Sequence, residues 1–221
     1  MKNPPRADKA KSDHPQENTM KSLFYMAMTV VCFMLSLPAQ ANVQPQPPAQ
    51  SAPIDAFSFS FFGIGGTEMP LRDLRGKVLL VVNTATGCGF AGQFRDLQKL
   101  QDTYGKDGLV VIGVPSNDFG GQEPLDGDVL KKTVADTYGA TFTLTQKTAV
   151  SGAAAHPFYL WAAKQGAGGL LSAKPRWNFH KYLIGRDGRV LASVPATTGP
   201  LDATFAAQIK SALSQKNDEK Q

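Results

Sequence analysis

The chain has 221 residues, 42% hydrophobic and 19% charged, a composition typical of one globular domain with additional segments. Its formal net charge of +5 is spread along the sequence without a Lys/Arg run, which argues against a nucleic-acid-binding surface. The three histidines show no metal-ligand spacing with the two cysteines, so the sequence predicts no zinc site.

A targeting signal is predicted near the N-terminus. Residues 20–41 combine the positive charge of Lys21, an apolar run and a closing Ala-Gln-Ala, which is the layout of a secretory signal peptide cleaved after Ala41. The apolar run is shorter than the roughly 20 residues that span a bilayer. We therefore expect an exported protein, periplasmic or secreted, with no stable membrane insertion after cleavage. An uncleaved membrane anchor is the alternative.

The segments around this signal are polar or rich in proline. Residues 1–19 form a polar extension, which leaves two translation starts open, Met1 and Met20. Cys32 lies inside the apolar run without the small preceding residues that lipid attachment requires, so it is expected to leave with the signal. The mature chain would then contain a single cysteine. Residues 42–55 are rich in Pro, Gln and Ala and are predicted to form an extended linker.

From residue 56 onward the apolar spacing alternates between strand and helix patterns. In chain order it predicts a strand at 57–64, a buried strand at 77–85, a helix at 92–104, a second buried strand at 109–116, a helix at 127–138, a strand at 141–148, a short helix at 156–165, a hairpin at 179–194 and a closing helix at 200–215. Residues 117–124 are too rich in Gly, Asn and Pro for regular structure, and residues 216–221 form a polar tail.

This element order predicts the fold class. A βαβ unit, followed by further α and β elements and a terminal hairpin, packs most economically as a mixed central sheet with helices on both faces. The expected architecture is therefore an α/β domain of the thioredoxin-like class, covering residues 56–215.

Cys88 lies between the first buried strand and the first long helix. Open α/β sheets place their sites beyond the carboxyl ends of strands, and backbone N–H groups at a helix start stabilise a thiolate. Gly87 and Gly89 are expected to permit close backbone approach. The alternative is a small buried residue that fills space. Disulfide exchange by a Cys-x-x-Cys motif is excluded because Phe90 and Ala91 complete the stretch.

Three blocks of sequence resemble the motifs of the glutathione peroxidase family. Residues 83–90, "NTATGCGF", resemble its Asn-Val-Ala-Ser-x-Cys-Gly-Phe pattern. Residues 109–124 end in "NDFGGQEP" and resemble its Asn-x-Phe-Gly-Gly-Gln-Glu-Pro block, and residues 177–200 open with "WNFHKYLI" and resemble its third block. The likeness covers about residues 56–213. It implies a thiol-dependent peroxidase that reduces hydrogen peroxide and organic or lipid hydroperoxides in the response to oxidative stress.

The resemblance also implies an active-site tetrad of Cys88, Gln122, Trp177 and Asn178. Cys88 would attack the O–O bond and become a sulfenic acid, while the three neutral donors stabilise the thiolate and the departing oxygen. Taken singly, these donors have plainer interpretations as a loop residue, a core residue and a turn former.

Other matching positions are expected to support the site. Asn83, Gly89 and Phe119 match the family pattern and are predicted to maintain the loop geometry around the tetrad. His156 and His180 fall outside the motifs and are predicted to be structural or exposed.

The sequence departs from the family where a resolving cysteine is frequent. Val134 and Ser116 occupy those positions, and Asp118 replaces a usual Gln. The expected reductant is therefore an external thiol, glutathione or a thioredoxin-like protein, with no bound cofactor. An exported redox sensor that passes its oxidation to a partner is the alternative function. The short stretch at residues 166–174 lacks the insertion of tetrameric members and predicts a monomer.

Overall fold

The computed structural model describes residues 53–165 and 174–215. The predicted signal segment with Cys32, most of the linker, residues 166–173 and the tail lie outside the described residues. The predictions of cleavage, export and a monomeric state therefore stay predictions.

The described residues form strands and helices in the predicted order. They are β1 (Ser60–Phe62), β2 (Glu68–Pro70), β3 (Val78–Thr84), α1 (Gln93–Tyr104), β4 (Leu109–Pro115), α2 (Gly127–Tyr138), β5 (Thr143–Leu144), α3 (Pro157–Ala162), β6 (Lys181–Ile184), β7 (Val190–Val194) and α4 (Ala203–Ser214). No helix within these described ranges combines the length and apolar character that a membrane span requires.

The central sheet has the strand order β5-β4-β3-β6-β7. Strands β3, β4 and β5 are parallel. Strand β6 pairs antiparallel with β3, and β7 pairs antiparallel with β6. The register pairs Thr84 with Pro115, so β3 and β4 end side by side. Lys181, the first residue of β6, pairs with Val82 near the same edge. The segments that follow β3 and β4 and the segment that precedes β6 therefore meet at one edge of the sheet.

Two buried clusters cover the two faces of this sheet. Strand β3 is buried along its whole length, as the central parallel strand of such a sheet should be. Its side chains alternate, since Leu80 and Val82 join one cluster with α1, α2 and α4, whereas Leu79 and Val81 join the other with α3. The predicted mixed sheet with helices on both faces is confirmed.

The first and fourth predicted strands are shorter than the sequence pattern suggested. Residues Ala56–Ser58 form a 3₁₀-helix, and Ser60–Phe62 pair in a hairpin with the unpredicted β2, while Gly63 forms an isolated bridge with Thr145. Phe57 and Phe61 are both buried, a four-residue spacing that fits a continuous strand as well as a short helix followed by a strand, so the apolar pattern could not distinguish the two. The predicted strand at 141–148 is reduced to Thr143–Leu144.

Candidate active site

Cys88 lies in a series of tight turns between β3 and α1. Its backbone N–H donates to the carbonyl of Ala85 at 3.4 Å, and its own carbonyl accepts from Ala91 N–H at 2.9 Å. The first residue of α1 is Gln93, so Cys88 precedes the helix by a full turn and is not at its start as the sequence suggested. The thiol still receives a backbone donor, because Phe90 N–H lies 3.4 Å from Sγ. Cys88 is a buried residue, 6% exposed.

Gly87 joins the Cys88 turn to the loop between β4 and α2. Its N–H donates to the carbonyl of Gln122 at 2.9 Å. A Cβ at this position would lie 2.9 Å from the same oxygen, a distance that real Cβ atoms do not adopt, so the contact requires glycine. A Cβ at Gly89 would meet nothing within 4 Å. The close approach predicted for both glycines therefore occurs at Gly87 and not at Gly89.

The loop after β4 presents the amide of Gln122. Gly120 and Gly121 precede it with φ of +68° and +64°, a left-handed conformation that side chains other than glycine rarely adopt. Asn178 donates from Nδ2 to Oε1 of Gln122 at 2.9 Å and, from the same nitrogen, to the carbonyl of Phe119 at 3.4 Å. The structure thus brings Gln122 and Asn178 together, although they are 56 residues apart in sequence.

The segment Trp177–Phe179 is attached to the end of β3 through Asn83. The buried Asn83 side chain donates to the carbonyl of Trp177 at 3.1 Å, and the carbonyl of Asn83 accepts from Phe179 N–H at 2.6 Å. Phe179 adopts a φ of 65°, which is unusual for a bulky residue and is maintained by these bonds and by full burial of its ring. Asn83 therefore binds the backbone on both sides of Asn178, and its predicted supporting role stays a prediction.

The indole of Trp177 lies at the surface beside Phe119. Trp177 is 41% exposed, and the rings of Trp177 and Phe119 are inclined at 43° with their centroids 6.0 Å apart. Within the described ranges, neither Trp177 Nε1 nor Gln122 Nε2 has a hydrogen-bond acceptor in the protein. Two neutral donors are therefore free to bind a ligand oxygen or a sulfur anion.

Glu123 and Thr86 contribute to this region although the sequence patterns did not indicate them. Glu123 is fully buried and accepts from Thr86 N–H at 2.9 Å and from Thr86 Oγ1 at 2.8 Å. Burial raises the pKa of the Glu123 carboxyl above its usual range, and the Thr86 hydrogen bonds oppose that shift. A charged residue in an irregular loop gives no sign of burial, and the sequence clue was that Glu123 follows Gln122 and matches the Glu of the Gly-Gly-Gln-Glu-Pro block.

Lys181 is a second buried charged residue near the tetrad candidates. Its ammonium donates to the carbonyls of Phe179 and Thr198, both at 2.8 Å, and desolvation lowers its pKa to about 7. The neighbouring His180 is 5% exposed and contacts Ser193 Oγ at 2.9 Å. Burial, with a contribution from the charge of Lys181, lowers the pKa of His180 to about 4.

His156 has the structural role that the sequence predicted. Its Nδ1 accepts from Phe158 N–H at 3.2 Å and caps α3, while Nε2 lies 3.0 Å from the carbonyl of Ser60. Across the described part of the chain, no group of three or more His, Cys, Asp or Glu side chains is placed to hold a metal ion.

Similarity to known proteins agrees with this geometry. The family model described as glutathione peroxidase matches residues 56–163. The glutathione peroxidase of Lactococcus lactis is 41% identical over 144 residues, which is 65% of this chain and 91% of that protein. The hydroperoxy fatty acid reductase of Synechocystis is 40% identical over 164 residues, 71% of this chain and 95% of that protein.

A solved structure agrees as well. The apo crystal structure of Trgpx superposes with a TM-score of 0.60 at 34% identity and covers 74% of this chain and 98% of its own. The chain thus shares its sequence with these relatives over most of their length, and it shares its fold with the solved structure. The chain belongs to the glutathione peroxidase family, and it is a peroxidase, an oxidoreductase of the thiol-dependent kind.

Proposed function

We propose that Cys88 is the peroxidatic residue and that the enzyme reduces hydrogen peroxide and organic or lipid hydroperoxides as part of the response to oxidative stress. The observation that carries the proposal is the hydrogen bond from Gly87 to Gln122, which places the cysteine turn against the loop of an amide donor. The thiolate attacks one peroxide oxygen, the O–O bond breaks, and the other oxygen takes a proton and leaves as water or an alcohol. The sulfur becomes a sulfenic acid.

Gln122 and Trp177 are proposed as the donors to the reacting oxygens. Negative charge develops on the departing oxygen as the O–O bond breaks, and neutral N–H groups stabilise it without an ion pair that would bind the thiolate too tightly. The unsatisfied Nε2 of Gln122 and Nε1 of Trp177 suit this role. Asn178 completes the tetrad by orienting Gln122.

The proposed substrate range includes large hydroperoxides. Trp177 is 41% exposed, so the donor side of the site opens to solvent and does not lie in a closed cavity. The Synechocystis relative is named a hydroperoxy fatty acid reductase, which supports a lipid hydroperoxide as one substrate. A monomer with an open site fits this substrate class.

Recycling is proposed to use an external thiol. Among the described residues Cys88 is the one free cysteine, and the positions at which relatives often carry a second thiol are occupied by Val134 and Ser116, both buried. A first thiol, glutathione or a thioredoxin-like protein, condenses with the sulfenic acid to give a mixed disulfide and water. A second thiol then releases Cys88 by attack on that disulfide.

Steady-state turnover tests this function. With excess glutathione or a reduced thioredoxin-type protein, we expect continuous consumption of hydrogen peroxide and of a fatty acid hydroperoxide, and we expect Cys88→Ser to lose it. A protein that consumes one equivalent and stops would be the redox sensor. Turnover that survives in Cys88→Ser would overturn the assignment of the cysteine.

Export is part of the same proposal. The signal layout of residues 20–41 supports cleavage after Ala41, which also removes Cys32. Intact mass of the protein purified from its host should correspond to a chain that begins at Asn42, and peroxide should add one oxygen without forming an internal disulfide. A chain beginning at Met1 or Met20 in the cytosolic fraction would contradict export.

A further inference from the structure

We propose that Glu123 is a positioning residue for the peroxide step, because its carboxylate fastens the Cys88 turn to the Gln122 loop through Thr86. The inference rests on the proposed function of Cys88 and Gln122. It assigns to a buried charged residue the role of fixing the position of Cys88 relative to its amide donor, Gln122.

The contacts of the carboxylate are concentrated on one neighbouring residue. Glu123 is 0% exposed, and it accepts from both the backbone N–H and the hydroxyl of Thr86, at 2.9 and 2.8 Å. Leu125 N–H is a third donor at 3.3 Å. Thr86 lies two residues before Cys88 and Glu123 directly follows Gln122. The shortest covalent paths from this contact to both proposed reacting groups are therefore one or two residues long.

A second bond runs beside the first. Gly87 N–H donates to the carbonyl of Gln122 at 2.9 Å, so consecutive residues of the cysteine turn bind consecutive residues of the donor loop. One hydrogen bond would leave the two segments free to rotate about it. Two bonds at adjacent residues, plus the hydroxyl contact, remove that freedom.

The loop itself is supported from its other side. Asn117 Oδ1 accepts from Glu123 N–H at 2.9 Å, and Lys147 Nζ donates to the carbonyls of Glu123 and Leu125 at 3.4 and 3.1 Å. Glu123 therefore lies on a supported backbone, and its side chain transmits that support to the Cys88 turn.

The ionised form is the one that matches these donors. A carboxylate accepts from all three, and charge-assisted hydrogen bonds are shorter and stronger than neutral ones. A glutamine in its place presents one oxygen and one NH2 group, and although the Thr86 hydroxyl could accept from that NH2, the backbone N–H of Thr86 or of Leu125 would then face a donor. An isosteric Glu123→Gln change should consequently displace the turn without leaving a cavity.

Small displacements matter for this reaction. Misplacement of reacting groups by about 1 Å can cost on the order of a hundredfold in rate. Alkylation by iodoacetamide expels iodide and needs no donor at a departing oxygen, whereas peroxide reduction needs the amide donor at that oxygen. The ratio of the two rate constants at Cys88 therefore separates positioning from general loss of structure or of thiolate.

The experiment compares four variants of the full chain. Glu123→Gln removes the charge, Thr86→Val removes the hydroxyl, Thr86→Ser retains it, and Glu68→Gln is the same carboxylate-to-amide change at an exposed residue. Rapid mixing gives the rate constant of Cys88 with hydrogen peroxide, and iodoacetamide labelling followed by intact mass gives the rate constant of alkylation. Both are measured at one pH.

We expect Glu123→Gln and Thr86→Val to lower the peroxide rate constant about 10- to 100-fold while alkylation changes less than about threefold. Thr86→Ser and Glu68→Gln should stay within about threefold of wild type in both. The double variant Glu123→Gln/Thr86→Val should be no slower than the slower single variant, because both changes break one contact.

Several results would overturn the proposal. A peroxide rate unchanged in Glu123→Gln would do so, and so would equal losses in both rate constants, which indicate a general structural role. If Glu123→Gln does not fold, Thr86→Val alone decides by the same ratio. These outcomes differ from failure of the proposed function, in which Cys88→Ser retains turnover whatever the Glu123 variants do.

Discussion

At the scale of single residues, the buried amide of Asn178 determines which way Gln122 points. Both hydrogen bonds of Asn178 Nδ2 go to protein oxygens, one on Gln122 and one on the backbone of Phe119. Because Oε1 of Gln122 accepts this bond, its Nε2 is the group that remains available as a donor to a substrate oxygen. In the proposed mechanism Asn178 would therefore act through Gln122, whereas the family resemblance had suggested three parallel donors.

This arrangement predicts a specific pattern of rate losses. Gln122→Ala should lower the rate constant for oxidation by hydrogen peroxide about 10- to 1000-fold, the range known for removal of one donor to a developing oxyanion. Asn178→Ala should lower it less, because an unrestrained Gln122 still samples the productive orientation. The double variant should equal Gln122→Ala, since Asn178 has nothing left to orient.

Rapid-mixing kinetics of the wild type, Gln122→Ala, Asn178→Ala and the double variant measure the energetic coupling between these two residues. Gln208→Ala, at an exposed position of α4, is the matched control for removal of an amide and should keep the wild-type rate. Losses that add in the double variant would mean that Asn178 donates to the substrate by itself.

At the scale of elements, the sequence predicted the positions that depend on strand and helix periodicity. Strands β3 and β4 are long, apolar and followed by glycine-rich segments, so their parallel pairing and the meeting of their loops could be expected. The periodicity predicted the start of α1 to within one residue, but it could not indicate which backbone conformation connects Cys88 to that start. Successive turn hydrogen bonds, including Gln93 N–H to Phe90 at 2.9 Å, occupy that interval.

The sequence patterns could not predict the contacts between loops, and the reason is physical. Thr86 and Glu123 are 37 residues apart and neither belongs to a periodic segment. Lys181 is a similar case, because it lies in the fully buried strand β6, two residues before Leu183, where an ammonium is costly. Its cost is offset by the carbonyls of Phe179 and Thr198, and the latter comes from the loop after β7. Only the three-dimensional arrangement shows such acceptors.

At the scale of the whole molecule, buried ionisable groups link stability to pH. His180 is held neutral because burial and the charge of Lys181 lower its pKa from 6.5 to about 4. As pH falls below about 6.5, the unfolded chain binds a proton at this residue and the folded chain does not, so the free energy of unfolding decreases until pH reaches about 4. The raised pKa of Glu123 acts in the opposite direction, since its folded form takes up a proton first.

His180→Gln isolates this contribution, because it keeps a polar group near Ser193 and removes the ionisation. Urea unfolding, followed by tryptophan fluorescence at pH 7 and pH 4.5, gives the free energy of unfolding of both proteins. We expect the wild type to lose about 2–3 kcal/mol more than the variant over this interval, since one unit of pKa shift corresponds to about 1.4 kcal/mol. His156 and Glu123 are present in both proteins, so their effects cancel in the difference. An equal decrease in the free energy of unfolding of the two proteins would mean that His180 is protonated in the folded state at pH 4.5. The prediction of a buried neutral imidazole would then be wrong.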